Sequence, residues 1–414
     1  MKKVNYQRVE KLLDGIAKFG KTDKGITRLA YTATDVAAQN WLLEQVQDLN
    51  LTVTRDAVGN IFLRKQGSAP QLPPIAMGSH LDSVAQAGAY DGVVGVVGAL
   101  EVLYMLADED LTRSLEVIIF QAEESTRFGF ATMGSKLVTG RGTPEQFSRA
   151  AHAGDLTFVE ALRSNGYNPD NYQQAIKAPG FWHSFWELHI EQGKVLDEMG
   201  EQIGIVQNIA APTRFKIRVE GMADHSGATP MGLRKDALVA AAKLILAVQA
   251  AAQAEADQGT VATVGVVEVE PASINVIPGQ VTLWVDLRGV EPASIARAFQ
   301  AMQKATDLVA ASDQVDISVE LLTADTPVQL APALAQLVEQ VCQEQKVSYR
   351  YMNSGAGHDA MQMATIVSTG MIFIPCRGGI SHNPAEFAKP TDICTGISVL
   401  AATVQKLATQ QVEA

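Results

Sequence analysis

The chain is 414 residues long with a net charge of −12, and 47% of its residues are hydrophobic against 19% charged. That acidity, with no stripe of Lys and Arg, argues against nucleic acid, whose phosphates call for clustered cations. No run approaches the 18 or more apolar residues of a membrane span, so no membrane partner is expected.

At roughly 150 residues per domain the length suits two or three domains. The start, Met1-Lys-Lys-Val-Asn-Tyr6, lacks the apolar segment of a secretion signal. Cys342, Cys376 and Cys394 are odd in number and widely spaced, which speaks against a disulfide framework and for a cytoplasmic location.

In chain order, Val9, Leu12, Leu13 and Ile16 fall at helical spacing, and Thr34-Asp35 opens a second helix expected to run through Leu49. Residues 51–54 and 60–64 pattern as strands. Pro74 to His80 reads as a buried strand running into a glycine-rich turn, Gly88-Ala-Tyr-Asp-Gly92, and a small-residue helix over Val93 to Leu106 follows. Ser114 to Gln121 is nearly all apolar, the pattern of a strand covered on both faces, and delivers Glu123 and Glu124 at its end. Residues 144–180 mix loop and helix, and a further strand over 184–190 carries His189.

The texture changes after Pro212. A strand near 214–221, an Ala-rich helix from about Arg234, strands at 260–270 and 280–288, a helix at 293–310 and a strand at 315–322 give the order β-α-β-β-α-β. That is a split βαβ sandwich large enough to fold alone. The expected organisation is therefore residues 1–212 plus 328–414 as one α/β domain, with 213–327 inserted.

His80, Asp82, Asp91, Glu123, Glu124, His189 and His382 all fall at strand ends or in the turns after them, where open α/β sheets place their ligands. His80 and Asp82 share a face of the chain, so one could bind a cation while the other steers it. Imidazoles and carboxylates without thiolates suit Zn, Mn, Co or Ni.

Eight stretches appear in order: GSHLDSV (78–84), GAYDG (88–92), AEESTRFG (122–129), ELHIEQG (187–193), ADHSGATPM (223–231), SINVIPG (273–279), SGAGHDA (354–360) and GISHNPAE (379–386). Together they resemble the N-carbamoyl-L-amino-acid hydrolase, allantoate amidohydrolase and β-ureidopropionase family, the hydantoinase-carbamoylase branch of the aminoacylase-dipeptidase metallohydrolases. The resemblance runs from about residue 25 to residue 400.

It implies an α/β, mixed-sheet, zinc-peptidase-like catalytic domain with an inserted ferredoxin-like lid and dimerisation domain. It also implies two divalent metal ions per subunit, one held by His80, Asp91 and His189, the other by Asp91, Glu124 and His382. Asp82 would then accept a hydrogen bond from His80 rather than bind metal, and Glu123 would be the general base. Two cations roughly 3.5–4 Å apart acidify a water and clamp a developing oxyanion, which suits hydrolysis of a ureido carbonyl to amino acid, carbon dioxide and ammonia.

From the inserted domain the resemblance implies that His225 polarises the carbonyl under attack and that Asn275 and Arg288 hold the substrate carboxylate. These three would act on the site of a partner subunit in a homodimer. Gln192 and Arg214 are further expected substrate contacts, and His358-Asp359 reads as structural support. Glu-Glu-Ser-Thr-Arg-Phe replaces the more usual Glu-Glu-Gly-Ser-Arg-Phe, and Ala210 to Arg214 matches neither carbamoylases nor allantoate enzymes closely. The substrate therefore stays open between N-carbamoyl-L-amino acids, allantoate and 3-ureidopropionate. A dipeptidase or aminoacylase, or a metal-binding protein without catalysis, are the alternatives.

Overall fold

The structure is a computed structural model and describes residues 1–148 and 156–409. Of the loop-and-helix stretch expected at 144–180, residues 149–155 lie outside the described residues. The chain divides into two compact units, Met1–Gln207 with Leu330–Ala414, and Asn208–Gln329.

The strands that matter are, in chain order, β1 (Thr52–Arg55), β2 (Ile61–Lys65), β3 (Ile75–His80), β4 (Leu115–Phe120), β5 (Ser184–Ile190), β6 (Ile203–Ile209), β7 (Ala211–Glu220), β8 (Val261–Glu270), β9 (Gln280–Gly289), β10 (Asp316–Ala324), β11 (Tyr349–Ser354) and β12 (Thr369–Ile374). The first unit is built on a mixed sheet in the order β6-β12-β5-β3-β4-β2-β1, with β11 pairing β6. The four central strands β12, β5, β3 and β4 are mutually parallel, and β2 and β1 close one edge antiparallel. Every residue of β3, β4, β5 and β12 is buried, as parallel strands covered on both faces require.

One cover is the helix Val93–Met105, whose residues are all buried except Tyr104. It approaches so closely that a Cβ on Gly95 would collide with the Leu188 carbonyl of β5, so glycine is what lets this helix seat on the sheet. Further cover comes from Pro390–Ala408 and Tyr6–Ala17, which share one apolar cluster with it. The second helix starts at Ala33 rather than Thr34, because the Thr32 side chain accepts from the Asp35 N–H; it ends at Gln45, and a single 3₁₀ turn, Gln47–Leu49, replaces its expected last turn.

In the second unit four antiparallel strands run in the order β8-β9-β7-β10. Two helices, Ala237–Gln253 and Pro292–Asp313, bury one face through Phe215, Ile217, Val219, Leu283 and Val285. This is the split βαβ order expected from the sequence. The first helix starts at Ala237, where Asp236 caps the Leu238 and Val239 N–H groups, three residues past the expected Arg234.

Candidate metal centre

Parallel alignment brings the carboxyl ends of β3, β4, β5 and β12 to one edge. His80, the last residue of β3, stands level with Phe120 of β4, and His189 of β5 with Phe373 of β12. The turn after β3 adds Asp91, that after β4 adds Glu123 and Glu124, and the loop after β12 adds His382. Residues up to 302 positions apart in sequence (382 − 80) thus share one site.

Three donor sets form there: His80, Asp91 and His189; Asp91, Glu124 and His382; and Glu187, His189 and His358. Within each set the donor atoms lie within 4.8 Å of one another, and Asp91 belongs to the first two. The tautomers follow from the partners. His80 Nδ1 lies 2.9 Å from the Asp82 carbonyl and His189 Nδ1 lies 2.9 Å from the Ile190 carbonyl. A carbonyl only accepts, so both Nδ1 atoms carry the hydrogen and both Nε2 atoms present lone pairs.

Those lone pairs face carboxylate oxygen. Asp91 Oδ1 is 3.7 Å from His80 Nε2 and 3.2 Å from His189 Nε2, and Asp91 Oδ2 is 3.2 Å from His382 Nε2. Donor atoms turned on one another in this way are reconciled by a cation between them. In its place a proton is favoured: burial opposes it at His189, but the contact with Asp91 outweighs that and raises the imidazole to about 9. Asp91 and Glu124 raise His382 to about 10.

The acidic balance says the same. Asp82, Asp91, Glu123, Glu124, Glu187, Asp359 and Glu386 are all buried here, and burial together with Glu124 and Asp359 pushes the Glu123 carboxyl well above its usual range. Buried carboxylates at this density need cationic partners. The donor set fits a hard or borderline divalent metal.

Asp82 sits differently from expectation. Its carboxylate is 3.6 Å from His80 Nδ1, which bonds the Asp82 main chain instead. The two carboxylate oxygens accept from the N–H groups of Glu123 and Glu124, at 3.2 and 3.1 Å, so Asp82 pins the acidic turn to the His80 turn. Gln192, with φ +56°, donates from Nε2 to Asp91 at 2.6 Å and leaves a buried Oε1 without a partner. His358 and Asp359 are buried; His358 bonds Ser354 at 2.9 Å and Asp359 accepts from Ser135.

In the second unit the short strands Asp224–His225 and Val276–Ile277 pair, which brings His225 beside Asn275, whose carbonyl accepts from Ser226. His225 Nδ1 accepts from the N–H groups of Gly227 and Ala228, both at 3.1 Å, so its hydrogen is on the exposed Nε2. Arg288 and Arg214 lie elsewhere. Both hold Asp286, Arg288 through two nitrogens at 2.9 and 3.0 Å and Arg214 at 3.1 Å, and they line a cavity of about 690 Å³ with Trp284.

The connection carrying Asn275 leaves β9 at Gln280, whereas Arg288 is near its other end. Eight residues of strand separate Gln280 from Arg288, about 26 Å. The structure therefore does not bring Asn275 and Arg288 together within one unit.

Several buried charges escaped the sequence reading, Glu187, Glu386 and Arg28 among them. Glu187 accepts from Ser79 and the Ala360 N–H, and its signal was a lone acid inside a fully buried strand. Glu386 accepts from the N–H groups of Tyr90 and Asp91. Arg28, 1% exposed, donates to the carbonyls of Leu81, Ile16 and Phe19, and nothing in its neighbours foretold that.

Comparison with known proteins follows the same lines. The sequence profile of peptidase family M20/M25/M40 matches residues 76–406. An N-carbamoyl-L-amino-acid amidohydrolase of Pseudomonas sp. (strain NS671) is 36% identical over 97% of this chain and 98% of its own length. A ureidoglycolate hydrolase of Arabidopsis thaliana is 38% identical over 95% of this chain and 85% of its own. Among solved structures, an amidase of the hydantoinase/carbamoylase family from Burkholderia multivorans superposes with a TM-score of 0.91 at 34% identity, covering 99% of both chains. The chain belongs to peptidase family M20/M25/M40, in its hydantoinase/carbamoylase branch, and is a metal-dependent hydrolase of carbon–nitrogen bonds.

Proposed function

We propose that the protein hydrolyses the ureido carbon–nitrogen bond of N-carbamoyl-L-amino acids, releasing amino acid, carbon dioxide and ammonia. The observation that carries this is Asp91 shared between two three-residue donor sets, in a chain 36% identical to an N-carbamoyl-L-amino-acid amidohydrolase. The two sets would hold one divalent cation each; such ions, when bound, acidify water and stabilise charge on the carbonyl oxygen.

The protein's own groups do the rest. Glu123, whose Oε2 is 3.7 Å from His80 Nε2, takes a proton from water and passes it to the leaving nitrogen. Asp82, bonded to the Glu123 N–H, keeps this carboxylate in place. His225 Nε2–H donates to the carbonyl oxygen as charge develops there. Asn275 and the arginine end of β9 meet the substrate's carboxylate from two copies of the chain, since about 26 Å of strand keeps them from meeting it together in one. We place the enzyme in the cytoplasm, in keeping with three cysteines that are all free thiols.

The test is ammonia release from N-carbamoyl-L-amino acids, allantoate, ureidoglycolate and 3-ureidopropionate with Mn, Zn, Co and Ni, beside a panel of dipeptides and N-acyl amino acids. Carbamoyl amino acids should be turned over, and Glu123→Gln should lower the rate by about 10²–10⁴-fold. Turnover of dipeptides alone would replace the ureido reading with a dipeptidase.

A further inference from the structure

Glu386 lies at the end of the loop that carries His382, 295 residues after Asp91 (386 − 91). It is 5% exposed and makes no ion pair among the described residues. Its Oε1 accepts from the N–H groups of Tyr90 and Asp91, at 2.8 and 3.1 Å, so it grips the backbone of the turn that presents the shared aspartate. Its Oε2 lies 2.9 Å from Ser381 Oγ, and the same hydroxyl lies 2.8 Å from Asp91 Oδ2.

The two loops are thus tied twice, once through the main chain of Asp91 and once through its side chain. Gly88 leaves the room for this: a Cβ there would sit 2.5 Å from Glu386 Oε1. Tyr90 and Phe387 pack edge to face beside the tie, with centroids 5.9 Å apart.

We propose that Glu386 is a positioning residue that locks the Asp91 turn to the His382 loop, so that the donor set of Asp91, Glu124 and His382 exists as one preformed unit. This deepens the two-cation reading and rests on it. His80 and His189 stand on strands and do not need the tie, so its loss should weaken one cation more than the other.

Hydrogen counting makes the role testable. Ser381 has one hydroxyl hydrogen and two carboxylates in reach, so it can donate to only one of them. In Glu386→Gln the amide oxygen still accepts from the two N–H groups, while the amide nitrogen donates to Ser381 Oγ and frees that hydrogen for Asp91. The glutamine variant should therefore work. Glu386→Ala keeps at most the Ser381–Asp91 contact, loses the grip on the Tyr90 and Asp91 N–H groups, and should not.

The experiment titrates the metal-free chain with Co(II), following heat and the visible absorption of the bound ion, for the parent, Glu386→Gln, Glu386→Ala and Ser381→Ala. The alanine at 386 should weaken one class of Co(II) site by about 10–100-fold and change the spectrum of the second equivalent. The glutamine should stay within about threefold of the parent, and Ser381→Ala should fall between them. If Glu386→Ala does not fold, the Ser381→Ala loss is the deciding value.

A glutamine as damaging as the alanine would overturn the proposal, since charge rather than position would then matter. So would an alanine, or a folded Ser381→Ala, that binds like the parent. A parent that takes up no Co(II) overturns both this and the metal reading. A parent that binds two equivalents but releases no ammonia from any ureido acid overturns the function alone.

Discussion

Gly92 separates the shared aspartate from the helix Val93–Met105, and its φ of +66° with ψ −44° is a region reserved for glycine. Its N–H donates to His189 Nε2 at 3.1 Å. A Cβ at this position would lie 2.6 Å from His80 Cδ2 and closer still to Cε1 and Nε2. Ordinary carbon contacts begin near 3.5 Å, so in Gly92→Ala the imidazole must withdraw by about 1 Å.

The withdrawal breaks the bond from Nδ1 to the Asp82 carbonyl, a loss of about 1 kcal/mol, and the backbone conformation costs about 1–3 kcal/mol more. The expected total is about 2–4 kcal/mol of unfolding free energy, with Co(II) affinity lowered about tenfold or more because His80 Nε2 is displaced. Gly129→Ala is the control. Its φ is +75° and nothing lies within 4 Å of a Cβ there, so it should lose only about 1–2 kcal/mol, all of it backbone strain, and bind Co(II) as the parent does. Urea unfolding and Co(II) titration of both variants decide the matter. A Gly92→Ala protein that matches Gly129→Ala in both measurements would refute the claim that Gly92 makes room for a ligand.

Asp82→Asn leaves one N–H of the acidic turn facing an amide nitrogen, and should cost about 1.5–3 kcal/mol in urea unfolding and at least about tenfold in ammonia release; an unchanged enzyme would remove Asp82 from its pinning role. Burial raises the Asp56 carboxyl to about 6, against the opposing bonds from Asn60 and Val58. Its stabilising effect is full below the unfolded value near 4 and is lost as the pH rises through about 6, so Asp56→Asn should gain on the parent by on the order of 2–3 kcal/mol between pH 4 and 7.5. A pH-independent difference between the two would exclude that burial effect. If His225 and Arg288 reach one site from two copies, mixing inactive His225→Ala and Arg288→Ala chains should restore part of the activity, whereas no recovery after subunit exchange would mean that both residues reach each site from the same copy.

Much of the fold was legible because the pattern is simple. Apolar runs marked β3 and β4, a strand ending in a turn marked β5, and alternation after Pro212 marked the second unit, whereas β12 was not singled out. Most of the residues gathered at the sheet edge were legible for the same reason, since they fall at or just after such strand ends. Asp82 shows where pattern reading stops: two residues from His80, it has the spacing of a supporting carboxylate, yet the main chain of the turn takes the imidazole bond and the side chain caps the neighbouring loop. Arg28 and Glu386 were out of reach because their partners are carbonyl and amide groups of distant segments, which no side-chain pattern encodes. Asn275 and Arg288 read as neighbours in role, but the intervening strand is rigid and extended, and its length alone puts them apart.

The place of β12 bears on how the chain is made. It occupies the slot between β5 and β6, yet Thr369 follows Ile209 by 160 residues. At ribosomal rates that interval is on the order of 10 s, during which the nascent chain has finished β5 and β6 with the strand that must separate them still unmade. The exposed edge of β5, a strand buried on both faces in the finished sheet, is then a hazard for pairing with another chain. The unit from Asn208 to Gln329 is synthesised in that interval and has its own core, so it can fold while the first unit waits for its missing strand and for His382. Birth order thus leaves the candidate metal centre open until β12 and His382 have been made, late in synthesis.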